Sequence, residues 1–110
     1  MADKSTQQKI EQLQQFEQSL QNFLAQKQSF ESQRIELDAA QKELESVDEA
    51  YKLIGNIMVL KKKTSLTDDI AEKKKIADLR IKSIEKQEET LRKRAKELQA
   101  EVLGAMKKEP

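Results

Sequence analysis

Two adjacent acidic pairs, Asp68-Asp69 and Glu88-Glu89, are the residues of this sequence best suited to chemistry. Paired carboxylates act as general acid and base, or bind divalent cations, when both side chains reach one pocket. Both pairs lie in segments with helical periodicity, where adjacent side chains point about 100° apart. They do not converge, so we expect no catalytic site and no metal site, and we do not expect an enzyme.

The sequence contains no cysteine and no histidine. Disulfides, thiol nucleophiles, the usual zinc ligands and an imidazole base are therefore excluded. With only two glycines, the chain also has no glycine-rich loop of the kind that holds nucleotide phosphates. We expect no cofactor.

Three basic clusters, Lys61–Lys63, Lys73–Lys75 and Arg92–Arg94, raise the question of nucleic-acid binding, because cations along a helix can follow a phosphate backbone. Acidic residues are interleaved with these clusters, and no aromatic side chain stands beside them for base stacking. Solvated helix faces are the favoured interpretation. An RNA-binding helical hairpin remains an alternative.

The composition is typical of long helices: 37% of the 110 residues are charged, 4% are aromatic, and there is one proline. No apolar run is long enough to span a membrane, and the first thirty residues are polar and lack a signal-peptide core. These features predict a soluble, cytoplasmic protein without membrane contact.

Apolar residues recur every seven positions in both halves of the chain, which predicts two coiled-coil arms, at about 5–47 and 66–107. Residues 1–50 carry 5 basic and 10 acidic side chains, whereas residues 51–110 carry 16 and 10, so the halves have complementary charge. We expect a mainly α fold, a single domain over 1–110, in which the arms form a long antiparallel two-helix coiled coil. The stagger between them stays open. The first-arm positions are Leu13, Phe16, Leu20, Phe23, Phe30, Leu37 and Leu44, and those of the second arm are Ile70, Ala77, Ile81, Ile84, Leu91, Ala95, Leu98, Val102 and Ala105.

The predicted seam is polar in its middle, at Lys27, Arg34 and Gln41 of the first arm and at Lys74 and Glu88 of the second, which predicts a weakened coil there. The free ends are more apolar than pairing requires. We call eight of these residues the tip residues and hypothesise that they bind apolar segments of other polypeptides; the alternative is ordinary coiled-coil core. The tip residues are Ile10, Leu13, Phe16, Leu20, Leu98, Val102, Leu103 and Met106.

A β-hairpin is predicted between the arms, at 51–62, from two β-branched apolar runs joined by Gly55-Asn56. A type I′ or a type II′ turn would pair Ile54 with Ile57 and Leu53 with Met58. Both faces of this ribbon are largely apolar, and a lone two-stranded ribbon is marginal in water. We therefore predict an oligomerisation element rather than a cover packed on its own helices. Its residues are Tyr51, Leu53, Ile54, Gly55, Ile57, Met58, Val59 and Leu60.

The hairpin, the heptad arms and a later Gln-Glu pair together resemble the β-class subunit of archaeal prefoldin, over nearly the whole length. A single hairpin in a short chain is similar to the β class, because α-class subunits carry two. The motifs concerned are Tyr51-Lys52-Leu53-Ile54-Gly55-Asn56-Ile57-Met58-Val59-Leu60 and Ile84-Glu85-Lys86-Gln87-Glu88-Glu89.

The resemblance implies a hexamer of two α-class and four β-class subunits whose hairpins join intersubunit β-barrels. It implies ATP-independent capture of non-native polypeptides and their delivery to a group II chaperonin. A structural coiled-coil scaffold that merely joins other proteins is the main alternative, because heptads alone do not distinguish the two functions.

Overall fold

Two long helices joined by a β-hairpin make up the computed structural model of the chain, which describes residues 3–107. Helix α1 spans Lys4–Glu45, strand β1 Ala50–Ile54, strand β2 Ile57–Lys61, and helix α2 Lys63–Lys107. The predicted order of elements is confirmed. Their bounds differ from the predicted ones by one to three residues, apart from the end of α2, where Lys107 is the last residue that the structure describes.

Helix α1 begins with an Asp3 cap. The Asp3 carboxylate accepts a hydrogen bond from the backbone N–H of Thr6 at 2.7 Å, and this bond lowers the pKa of Asp3 below its usual value. At the other end, the Ser46 hydroxyl donates to the carbonyl of Glu43 at 3.1 Å. The Lys63 ammonium donates to the carbonyl of Glu45 at 3.3 Å, so a cation from α2 compensates the negative end of α1.

Helix α2 starts three residues earlier than predicted. In the sequence, Ser65 followed by Asp68 resembles a capping box that would begin this helix, but Ser65 lies inside the first turn, so that expectation is wrong. The backbone N–H of Leu66 instead donates to the carbonyl of Lys62 at 3.1 Å. Because β2 stays paired as far as Lys61, only one residue separates the strand from the helix. The rotation of α2 about its axis that results from this early start places Leu66 in a buried position.

The hairpin has the predicted register, with Ile54 opposite Ile57, and Leu53 opposite Met58. Gly55 has a φ of 60°, and among residues 3–107 no residue other than glycine has a positive φ. A type I′ turn would need positive φ at Asn56 as well, so the connection is the type II′ alternative.

The chain divides into two units. We call the part formed by residues up to 27 and from 83 onward the terminal unit, and residues 28–82 the hairpin unit. In the terminal unit, Lys27 lies 2.8 Å from Glu88, which fixes an antiparallel stagger that the heptads left open. In the hairpin unit, the Lys74 ammonium donates to the Gln41 side chain at 2.9 Å, again in an antiparallel arrangement.

The best-buried apolar side chains confirm the heptad seam. Four of the five occupy predicted seam positions, and the fifth is Leu66 at the start of α2. These five are Leu44, Leu66, Ala77, Ile84 and Val102.

Candidate functional site

The hairpin exposes its apolar side chains on both faces. Six large apolar residues of the ribbon are between 52% and 69% exposed, while Lys52 and Val59, opposite each other, are half-buried. Within residues 3–107 the sheet has two strands, so each strand leaves one edge without a backbone partner. The outer part of the ribbon is therefore left uncovered by the described part of the chain. The six are Tyr51, Leu53, Ile54, Ile57, Met58 and Leu60.

A groove of about 410 Å³ lies at the base of the hairpin. Its apolar lining includes Leu44 and Leu66 from the helices and Ala50 from β1. Lys52 and Asp69 also line this groove, and the Lys52 Nζ lies 3.8 Å from the Asp69 Oδ2. The base of the ribbon therefore lies against the helix ends, and the rest of the ribbon extends away from them.

The tip residues all belong to the terminal unit, but they differ in burial. Val102 is 7% exposed and behaves as coiled-coil core, whereas Leu103 and Met106 are 54% and 52% exposed. The other five are half-buried along the seam. The structure therefore brings the eight residues into one unit and leaves two of them open to solvent. Sequence reasoning missed Thr6, whose buried position beside the Asp3 cap has no apolar signal.

A second apolar surface in the terminal unit was not foreseen. Phe16, Phe23 and Leu91 line a groove of about 400 Å³, with Ser19 and Thr90 also in its lining. The signal available in the sequence is the placement of small residues beside the heptad phenylalanines, which leaves their rings partly uncovered.

The polar seam positions meet partners across the coil instead of leaving gaps. Glu88 is 1% exposed and accepts a hydrogen bond from the Lys27 ammonium at 2.8 Å. Its second oxygen, Oε2, has no hydrogen-bond donor in the described part of the chain, but the Arg92 guanidinium lies 3.6 Å away. In the hairpin unit, Arg34 forms an ion pair with Asp78.

The two acidic pairs, Asp68-Asp69 and Glu88-Glu89, do not bring their carboxylates together. Glu88 is buried in the seam and its neighbour Glu89 is exposed. Asp69 faces Lys52, and Asp68 is exposed. No group of three potential metal-ligating acidic side chains occurs among the described residues.

The basic clusters are partly engaged within the chain. Lys74 pairs with Asp38 at 2.5 Å, Arg92 with Glu88, and Lys63 with the carbonyl of Glu45. One cation of each cluster is thus compensated internally, which reduces the charge free for a phosphate backbone.

A family model described as prefoldin subunit matches residues 7–109. The chain belongs to the prefoldin family. The resemblance inferred from the hairpin and the arms is confirmed.

Curated prefoldin β subunits are similar to this chain over about half its length. The chain is 45% identical to that of Archaeoglobus fulgidus over 49 residues, which are 44% of this chain and 42% of the relative. It is 38% identical to that of Saccharolobus islandicus over 52 residues, 47% of this chain and 41% of the relative. The corresponding match to the Methanococcus vannielii protein is 40% identical and spans 47% and 46%. The aligned part thus spans less than half the length of these curated relatives.

The fold agrees with prefoldin over a much larger share of the chain. The crystal structure of the prefoldin β subunit from Thermococcus strain KS-1 matches with a TM-score of 0.90 and 29% sequence identity. The match covers 100% of this chain and 98% of that one. The expected fold class, two long helices with one β-hairpin, is confirmed. No helix in residues 3–107 is both long enough and apolar enough to cross a membrane.

Proposed function

We propose that this chain is a β-class prefoldin subunit that acts, without ATP and without catalysis, as a chaperone for non-native polypeptides. The observation that carries the proposal is the set of six exposed apolar side chains on the hairpin of a chain that belongs to the prefoldin family. Such a ribbon needs strands from other subunits to cover its faces and edges.

Assembly follows from the hairpin. Strands of neighbouring subunits pair with β1 and β2 and bury the apolar faces in an intersubunit β-barrel. Two α-class subunits and four copies of this chain form the proposed hexamer. The relatives named above are β subunits, which supports the β-class role for this chain.

Client capture is assigned to the tip residues. Leu103 and Met106 present open apolar surface, and methionine adapts its shape to different partners. Each contact contributes about 25 cal/mol per Å² of apolar surface buried, so one subunit binds weakly. Several tethered subunits raise the effective concentration and turn weak contacts into a firm hold. Release to a group II chaperonin then relies on competing binding equilibria.

The test is suppression of aggregation of a denatured protein by the assembled full-length complex. Deleting the residues before Phe16 and after Leu98 should abolish suppression while the oligomer persists. A milder variant, Leu103→Gln with Met106→Gln, should reduce suppression without changing the seam. Leu79→Gln is the matched control, because Leu79 is 58% exposed but lies in the hairpin unit.

Undiminished suppression by the deleted or doubly substituted complex would overturn the assignment of the tip residues. Stoichiometric assembly without any protection of a denatured protein would instead indicate a structural scaffold. Binding to RNA that falls steeply with salt would indicate the nucleic-acid alternative, since apolar contacts do not weaken in that way.

A further inference from the structure

The groove lined by Phe16, Phe23 and Leu91 has a distinctive charge pattern; we call it the aromatic groove. Two cations, Lys86 and Arg94, line it, and no acidic side chain does. Neither cation forms an ion pair within residues 3–107. Their charges are therefore available to a ligand.

The two cations bracket the aromatic groove. They are eight residues apart on α2, which corresponds to about 12 Å along the helix axis. The Arg94 guanidinium carbon lies 5.5 Å from the centre of the Phe16 ring, so this cation sits against the apolar floor. Phe16 and Arg94 also line an adjoining, smaller groove, and the acidic residues next along α2, Glu97 and Glu101, lie in the lining of that groove only.

We propose that the aromatic groove selects segments of non-native polypeptide in which a bulky apolar residue has an acidic residue two positions away on each side. This inference rests on the proposed chaperone function and names the class of segment that this subunit prefers. The apolar side chain packs against Phe16, Phe23 and Leu91, and the two carboxylates pair with Lys86 and Arg94.

The geometry of an extended chain fits this arrangement. Side chains at positions i−2, i and i+2 point to the same face of an extended segment. At about 3.3 Å per residue, the outer two are about 13 Å apart, close to the axial separation of the two cations. A segment with lysines in the outer positions would place like charges together and lose affinity.

The experiment measures binding of three fluorescent peptides to the assembled full-length complex by anisotropy. The peptides share a central phenylalanine and differ only in the residues two positions away, which are glutamate, glutamine or lysine. We expect the glutamate peptide to bind most tightly and the lysine peptide most weakly. Added salt should narrow this difference and leave binding of the glutamine peptide nearly unchanged.

Lys86→Gln combined with Arg94→Gln should weaken binding of the glutamate peptide about fivefold, as expected for the loss of two partly exposed ion pairs. The matched control is Lys93→Gln with Lys96→Gln, which removes two exposed cations of α2 that do not line the aromatic groove. The control should keep the wild-type order of affinities. The glutamine peptide reports any loss of packing over Phe16, because such a loss would weaken all three peptides alike.

The outcomes separate this inference from the function on which it rests. Loss of the charge preference in the Lys86 and Arg94 variant, but not in the control, would support it. Equal binding of all three peptides, or an unchanged preference in that variant, would overturn the inference and leave the proposed function standing. Binding of none of the peptides would overturn the inference alone, because the proposed function rests on several weak contacts acting together and is tested by suppression of aggregation.

Discussion

At the scale of single residues, buried charge sets the register of the terminal unit. Lys27 and Glu88 face each other in the seam at 2.8 Å. A shift of α2 by one heptad would place Glu88 opposite Leu20 in one direction and Lys27 opposite Ala95 in the other. Either shift places at least one of the two charges against an apolar side chain, so the pair favours the observed stagger at some cost in stability.

Removing one partner of this pair should destabilise the protein more than removing both. Glu88→Ala removes the buried carboxylate that accepts the Lys27 hydrogen bond at 2.8 Å, and breaking such a pair from one side should lower the free energy of unfolding by about 3 kcal/mol. Lys27→Leu combined with Glu88→Leu should recover most of this loss. Urea unfolding at a fixed subunit concentration measures both values, and a neutral Glu88→Ala would contradict the role given to the pair.

Acid should weaken the hairpin unit through Asp38. The hydrogen bond from Lys74 holds the pKa of Asp38 below its usual value of 3.8. Because the folded pKa is lower than the unfolded one, the stabilisation is complete above the unfolded value and is lost as the pH falls through the folded value.

We therefore expect Asp38→Asn to lower the melting temperature at neutral pH, and we expect this effect to vanish once the pH is low enough to protonate Asp38 in the folded state. Asp48→Asn is the control, because Asp48 lies in the bend after α1 and has no ion pair among the described residues. A pH-independent difference between Asp38→Asn and wild type would contradict this account.

At the scale of elements, the hairpin depends on one glycine. Gly55 adopts a φ of 60°, which side chains with a Cβ tolerate poorly. Gly55→Ala should cost about 1 to 2 kcal/mol through backbone strain and weaken assembly. Gly104→Ala is the same chemical change inside α2, where a Cβ would meet nothing within 4 Å.

The Gly104 substitution should instead stabilise the helix by up to about 1 kcal/mol. Thermal unfolding and native mass spectrometry of the two variants would distinguish these effects. Equal behaviour of Gly55→Ala and Gly104→Ala would show that the turn does not need positive φ.

Local patterns made the elements predictable. The heptads predicted the seam because burial follows the helical period, and the Gly55-Asn56 pair predicted the register because a two-residue turn fixes which strand residues are opposite. The start of α2 was predicted too late because Ser65 and Asp68 resemble a capping box. In the structure the strand pairing extends to Lys61, and the helix begins two residues after it, at Lys63. Capping patterns do not report where a preceding strand ends.

The candidate surfaces were less predictable than the fold. Apolar residues such as Val102 and Leu103 look alike in the sequence, yet one is buried and the other is exposed, because the difference depends on helix phase in the packed coil. The stagger was not readable either. It depends on partners such as Lys27 and Glu88, and heptad spacing alone does not say which layers meet.

At the scale of the whole molecule, we expect other subunits to cover the exposed hairpin. Leu53→Glu with Met58→Glu places two charges on one exposed face of the ribbon, which should abolish assembly while helix content stays the same. Ile35→Glu is the matched control, since Ile35 is 69% exposed, as is Met58, but lies in α1. Sedimentation velocity and circular dichroism measure the two properties, and intact assembly of the hairpin variant would contradict its role.

The most direct test of the central claim is native mass spectrometry of the complex that a tagged copy of this chain captures from the cells that make it. This measurement identifies the partner subunits and gives the stoichiometry of the complex. We expect four copies of this chain with two copies of a longer coiled-coil subunit. A monomer, a complex with unrelated stoichiometry, or a complex with bound RNA would contradict it.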